Sequence, residues 1–180
     1  MRKLLIYALV ALLLPLGMGC TDNNTKTVWD EYAEYREANN AWLAEMQARR
    51  NDDGTPYYAT IVPEWNPSIF VLIHYFNDRA ETEGNLSPLS NSVIKANYHL
   101  SLYNGKGIDS AAGYQTPLNN TIQGWGVGLS DMRCGDTAEI VIPYAAAYGN
   151  QNNDPVLPYS NLRFRVRLVD IPYFEVPPYK

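Results

Sequence analysis

VIKANYHLSL, residues Val93–Leu102, alternates apolar and polar positions along its length. Ile94, Ala96, Tyr98, Leu100 and Leu102 fall on one side of an extended chain, and Lys95, Asn97, His99 and Ser101 on the other. A period of two predicts a strand with one face on a core and one in water, as in an antiparallel sheet. LRFRVRLVDI, Leu162–Ile171, repeats the pattern, with Leu162, Phe164, Val166 and Leu168 alternating with Arg163, Arg165 and Arg167. The arginine row reads as a solvated face paired with nearby carboxylates, and His99 as a solvated strand residue. Ala138–Ile142 is another such strand. Tyr57–Trp65 and Ile69–Phe76 are further strand candidates, separated by the turn residues Asn66 and Pro67. Asn77–Asn91, polar and carrying Gly84 and Pro88, reads as a loop.

Between these strands only Gly124–Met132 suits a short helix. The predicted architecture is therefore α+β, a twisted antiparallel sheet wrapped around one short helix. A separate N-terminal helix is expected over Val28–Arg50. Thr27 with Asp30 makes a capping box, and Asp30, Glu31, Arg49 and Arg50 sit where the helix dipole favours their charges. At 100° per residue Tyr32, Tyr35, Trp42, Leu43 and Met46 share a face opposite Asp30, Glu34, Glu37 and Glu45. Asn51–Gly54 stops the helix. The aromatic stripe predicts packing on the body of the domain, with a homodimer through this helix as the alternative.

The first twenty residues carry a different signal. Arg2 and Lys3 precede the apolar run Leu4–Leu16, and Gly17, Met18, Gly19 and Cys20 follow. This reads as a secretory signal peptide over 1–19, too short for a comfortable membrane span. The small residue before Cys20 resembles a lipobox, although Gly17 departs from the usual pattern. Cys20 is the expected lipidation site, residues 20–27 the tether and 28–53 the N-terminal helical segment. The expected location is outside the cytoplasm, on a membrane through a lipid anchor.

Composition narrows the chemistry. The chain has 180 residues, is 46% hydrophobic and 18% charged, and carries a formal net charge of -5. Loss of Arg2 and Lys3 with the leader would take this to about -7, which argues against a nucleic-acid partner. The two cysteines, Cys20 and Cys134, exclude a disulfide framework by count. His74 and His99 stand in no ligand-spaced cluster, so neither a metal nor another cofactor is expected. Ser, Asp and His occur without the local context of a catalytic triad.

Four blocks then occur in order: IKANYHLSLYNGKGIDSA (94–111), TIQGWGVGLSDMRCGD (121–136), IVIPYAAAYG (140–149) and VLPYSNLRFRVRLVDI (156–171). Together they resemble the signature blocks of the FKBP-type peptidyl-prolyl cis/trans isomerases. The resemblance runs from about Val93 to Ile171 and implies an FKBP-like domain over 57–180, with a prolyl pocket between helix and sheet. Carried over by position, Trp125 is the pocket floor, Phe164 an aromatic wall and Tyr148 a hydroxyl donor to a substrate carbonyl. Tyr98 and Asp109 form a polar pair at the edge. Ile122 offers its backbone N–H, and Ile108, Val156 and Tyr114 complete the substrate-binding set. Ile108 replaces a usual Phe, Thr121 a usual Val and Ala111 a usual Ser, and residues 57–91 exceed the family's usual first strands, which implies an elaborated sheet edge. The resemblance implies an isomerase acting on proline-containing polypeptides and assisting the folding of exported proteins. The alternative is a non-catalytic peptide- or protein-binding lipoprotein on the same fold.

Overall fold

The computed structural model describes residues 26–175. The leader, Cys20 and most of the tether lie outside the described residues. Two helices open the fold, α1 (Val28–Glu31) and α2 (Ala33–Ala48). Strands β1 (Ala59–Ile61), β2 (Val71–Tyr75), β3 (Val93–Leu102) and β4 (Gly107–Pro117) follow, then α3 (Gln123–Asp131), β5 (Thr137–Ile142) and β6 (Leu162–Tyr173). The six strands form one sheet in the order β1-β2-β5-β6-β3-β4, every pair antiparallel.

The alternation at Val93–Leu102 gives β3 with the expected faces along most of its length: Ile94, Ala96, Leu100 and Leu102 are buried, and Asn97 and His99 are exposed, but Ser101, expected in water, is buried where it meets Arg163. The buried face of the sheet packs on α3. That contact is direct because two of the helix glycines leave no side chain in the way. A Cβ at Gly124 would stand 2.2 Å from Ile142 Cγ2, and one at Gly128 would stand 2.8 Å from Ile140 Cδ1. Ile142 and Ile140 are alternate residues of β5, so one helix turn sits on one face of that strand.

β2 and β5 are buried on both faces, unlike β3 and β6. Leu72 and Val141 point away from α3 and are covered by Met46 of α2 and by Tyr58 just before β1, while Trp42 and Leu43 of α2 and Phe70 pack at the margin. The aromatic stripe is thus taken up against its own domain. The predicted single helix is divided at Tyr32, whose backbone leaves the helical region (φ -101°, ψ 20°). Thr27 and Asp30 form the expected capping box, with the Thr27 hydroxyl donating to Asp30 Oδ2 at 2.6 Å.

The helix carries a second, polar attachment that hydrophobic periodicity does not reveal. Asn39 is fully buried; its Oδ1 accepts from the Asn161 N–H at 2.8 Å and its carbonyl from Asn161 Nδ2 at 2.7 Å. Asn39 Nδ2 donates to the Tyr35 carbonyl at 2.9 Å, so neither amide is stranded. Tyr35 meets Ser160 at 2.7 Å. Arg36 is buried as well, its guanidinium 3.3 Å from the Trp29 ring centroid and 5.5 Å from that of Tyr159.

Two expectations are corrected, and one strand carries no apolar alternation to predict it. Tyr57–Trp65 contributes only the short β1, because a turn closed by Asn66 N–H on the Pro63 carbonyl ends it. Gly107–Pro117 is the unforeseen edge strand, its side chains exposed or half-buried. The Arg163, Arg165 and Arg167 row has no carboxylate within ion-pair distance among the described residues. Arg163 donates instead to Ser101, and Arg165 lies 4.8 Å from the Phe76 ring. The loop after β2 is held by the fully buried Asp136, which accepts from Thr82 Oγ1 (2.6 Å), Asn77 Nδ2 (3.1 Å) and the Arg133 N–H (2.9 Å).

Overfilling the α3–β5 contact should therefore destabilise the domain. Gly124→Ala meets Ile142 Cγ2, next to the rigid branch point, and, at 3.2 Å, the Ala146 carbonyl, whereas Gly128→Ala meets Ile140 first at its terminal Cδ1, which has more room to turn away. The expected loss is about 1–3 kcal/mol, larger for Gly124→Ala, read from urea unfolding midpoints. Equal stability of both variants and the parent would contradict this packing.

Candidate functional site

A cleft of about 390 Å³ opens where the start of α3 meets the inner face of the sheet. Tyr98, Asp109, Tyr114, Ile122, Trp125, Tyr148 and Phe164 all line it, together with Leu100, Asn120 and Thr121. Seven of the nine residues carried over by position therefore converge. Ile108 packs half-buried against the core and Val156 is fully inside it, and neither reaches the lining. Val156 is turned inward by a tight bridge in which it and Asn153 exchange N–H···O bonds of 2.8 and 2.9 Å.

Each wall has a local cause. Gly124 and Gly128 press α3 onto β5, which fixes Trp125 at the base, 2% exposed. The indole is boxed edge-on by Tyr98 and by Phe164, with ring centroids 5.3 Å away in both cases. Leu100 pairs with Phe164 across β3 and β6, so the missed Leu100 was legible as the inward neighbour of Tyr98 two residues on. Asn120 and Thr121 come from the turn before α3, where no periodic signal exists. The Trp125 indole N–H is buried with no hydrogen-bond partner among the described residues. An orphaned buried donor of this kind costs about 1–3 kcal/mol, and such groups concentrate at functional sites.

The polar edge is built by the register of β3 and β4. Leu100 lies opposite Asp109, which brings the carboxylate beside Tyr98, and the Tyr98 hydroxyl donates to Asp109 Oδ2 at 2.5 Å. Asp109 Oδ1 accepts from the Ser110 N–H at 2.8 Å, so the carboxylate is held from both sides. Ile122 ends the turn before α3 with extended backbone (φ -60°, ψ 148°). Its carbonyl accepts from Trp125 and Gly126, while its N–H has no partner among the described residues. This donor faces no competition within the helix end.

Tyr148 depends on the distant N-terminal helices. Its turn is closed by Gly149 N–H on the Tyr144 carbonyl (2.8 Å), with Gly149 at φ 63°. Gly149 in turn accepts from the Tyr159 N–H at 2.8 Å. Tyr159 itself sits at φ 63°, a left-handed conformation costing a bulky residue on the order of 1–2 kcal/mol. It is gripped by Trp29 and Tyr144, edge-on at 5.6 and 5.4 Å. Asn161, bound to Asn39, also accepts from the Tyr144 N–H at 2.8 Å.

A crystal structure of a peptidyl-prolyl cis-trans isomerase from Pseudomonas syringae pv. tomato superposes with a TM-score of 0.64, covering 78% of this chain and 95% of that one at 21% identity. FkpA from Escherichia coli superposes with a TM-score of 0.62, covering 78% of this chain and 62% of that one. The fold is FKBP-like. Residues 84–169 of the FKBP-like domain match the family model described as FKBP-type peptidyl-prolyl cis-trans isomerase. The Escherichia coli FKBP-type peptidyl-prolyl cis-trans isomerase FkpA is 32% identical over 89 residues, 47% of this chain and 33% of that protein. The peptidyl-prolyl cis-trans isomerase Mip of Coxiella burnetii is 36% identical over 92 residues, 47% of this chain and 39% of that protein. The matched stretch thus spans little more than a third of these relatives.

Two phenols at the cleft are held protonated. Burial, then the hydrogen bond to Asp109, pushes Tyr98 well above the ordinary tyrosine range. Burial, then the Asp109 charge, pushes Tyr148 upward. Both therefore stay neutral hydroxyls when free tyrosines, with pKa about 10, begin to ionise. In an ultraviolet titration of phenolate absorbance, Tyr98→Phe and Tyr148→Phe should remove no amplitude below about pH 10. Lost amplitude in that range would show that the cleft phenols ionise normally.

Proposed function

We propose that this protein is a peptidyl-prolyl cis/trans isomerase of FKBP type, acting on proline-containing polypeptides outside the cytoplasm and assisting their folding. The observation that carries the reading is the convergence on one open cleft of the Trp125 base, the Phe164 and Tyr98 walls, the Tyr148 phenol and the unpartnered Ile122 N–H.

An X–Pro bond isomerises over a barrier of about 18–20 kcal/mol and takes tens to hundreds of seconds unaided. At the transition state the amide is twisted and its resonance broken, so it is less polar than the planar forms. Moving it from water into an aromatic cup favours the twisted form. In this reading the proline ring stacks on Trp125 between Phe164 and Tyr98. The Ile122 N–H and the Tyr148 hydroxyl hold flanking carbonyls and so fix the twist. No nucleophile or general base enters. Cys134 is unsuited to be one, since burial raises its thiol above the ordinary range.

A positioned donor acting on the transition state is typically worth about 3 kcal/mol, roughly a hundredfold. The cleft is open to solvent, so Tyr148→Phe should lower kcat/KM about tenfold in a protease-free assay on X–Pro peptides. Unchanged activity would remove Tyr148 from the mechanism. The second reading, a binding module without catalysis, is favoured by Ile108, which stands where the family usually has Phe and does not reach the cleft. A folded parent that binds X–Pro peptides but accelerates none of them would select it.

The anchoring proposal rests on sequence alone. Arg2, Lys3, the apolar run to Leu16 and the Gly19–Cys20 step support lipid attachment at Cys20. Among the described residues no helix is long and apolar enough to cross a membrane. Cells fed a fatty-acid analogue should label the parent and not Cys20→Ala. Label retained by the variant would refute anchoring at that residue.

A further inference from the structure

A second cleft, of about 530 Å³, runs along the opposite side of α3. Ile61 at the end of β1, with Pro63 and Trp65 from the turn that follows, makes one wall, and Gln123, Gly126 and Val127 of α3 make the other. It shares Thr121 and Ile122 with the Trp125 cleft, so the two are continuous across the start of the helix. Neither Trp65 nor Gly126 touches the first cleft.

Two features set this cleft apart from an incidental groove. Trp65 is 66% exposed at its rim, a large indole with most of its surface unspent. Gly126 is the other. Gly124 and Gly128 are demanded by contact with β5, but a Cβ at Gly126 would meet nothing within 4 Å. A glycine inside a helix is unfavourable relative to alanine, and packing does not account for this one. What it provides is bare backbone at the floor of the cleft, where another chain can approach closely.

We propose that this cleft is a second binding site for the client polypeptide. A chain whose proline occupies the Trp125 cleft crosses Thr121–Ile122 and lays an apolar or aromatic side chain, a few residues from the proline, over Gly126 and against Trp65. The occupant follows from continuity: the junction carries the unpartnered Ile122 N–H, a donor suited to a carbonyl of the crossing backbone. The proposal rests on the reading of the Trp125 cleft as the prolyl site. It adds a selection of clients by the residue that flanks the proline.

The test compares a short blocked peptide containing one Leu–Pro bond with longer peptides that add a single Phe a few residues before or after it. Binding is followed by NMR titration and isomerisation by exchange NMR. The parent should bind its best Phe-containing peptide about tenfold more tightly than the short one, the worth of one apolar side chain in a pocket. Gly126→Leu, which fills the floor, and Trp65→Ala, which removes the wall, should each abolish that preference and leave the short-peptide values unchanged. Gly126→Leu should also raise Tm, which separates a filled cleft from a damaged fold. Equal binding of short and long peptides by the parent, or a preference that survives both variants, would overturn the proposal. Binding without isomerisation would count against the catalytic reading alone, because the flanking preference would still be measurable. No binding of any peptide would defeat both.

Discussion

The approach of α3 to β5 is the constraint on which the rest of this molecule depends. Two glycines one turn apart let a helix backbone rest on Ile142 and Ile140 with no side chain between. A helix held farther out would carry Trp125 away from Phe164 and Tyr98, whose ring centroids stand 5.3 Å from it. The same closeness sets Ile122, whose N–H has no partner among the described residues, in the lining of the cleft. Packing density and donor placement thus have one origin, and neither is adjustable without the other.

A second dependence runs through the opposite face of the sheet. β2 and β5 are covered on both sides, so a helix on one face alone would leave Leu72 and Val141 in water. α2 removes that exposure. It also reaches the loop that bears Tyr148, through Asn161, Ser160 and the strained Tyr159. The N-terminal helix and the cleft are therefore coupled by named contacts, although they lie on different faces. The family match begins at residue 84, yet the packed unit extends back to the cap at Thr27.

How much of this was legible in the sequence follows from which forces leave a period. β3 and β6 bury alternate residues along most of their length, as their sequences alternate, and α3 was bounded within a residue. The aromatic cleft came from order and spacing of motifs: Trp125, Tyr148, Phe164, Tyr98 and Asp109 meet as a set. β4 stayed hidden because an edge strand with Gly107, Gly113 and Pro117 lacks a buried face to imprint a pattern. The burial of Asn39 and Arg36 leaves no mark in the sequence, since hydrophobic periodicity is blind to polar groups buried by pairing. Val156 was misplaced for a related reason: motif position does not say which way a loop side chain turns. The second cleft, made by a turn and a bare helix position, had no sequence signature beyond an isolated glycine.

The attachment between Asn39 and Asn161 spans 122 positions, and that between Tyr35 and Ser160 spans 125. In the sheet, β6 lies between β5 and β3 although it follows both in the chain. A ribosome delivers residues in order, so α2 waits for partners made more than a hundred residues later, and the sheet lacks an interior strand until β6 follows. Loop closure over such separations must be met before its contacts repay it, which places topologies of this kind in the range of about milliseconds to seconds for folding. A chain interrupted before residue 161 therefore lacks both the polar anchor of Asn39 and the strand that joins β5 to β3, so its sheet stays in two unconnected parts.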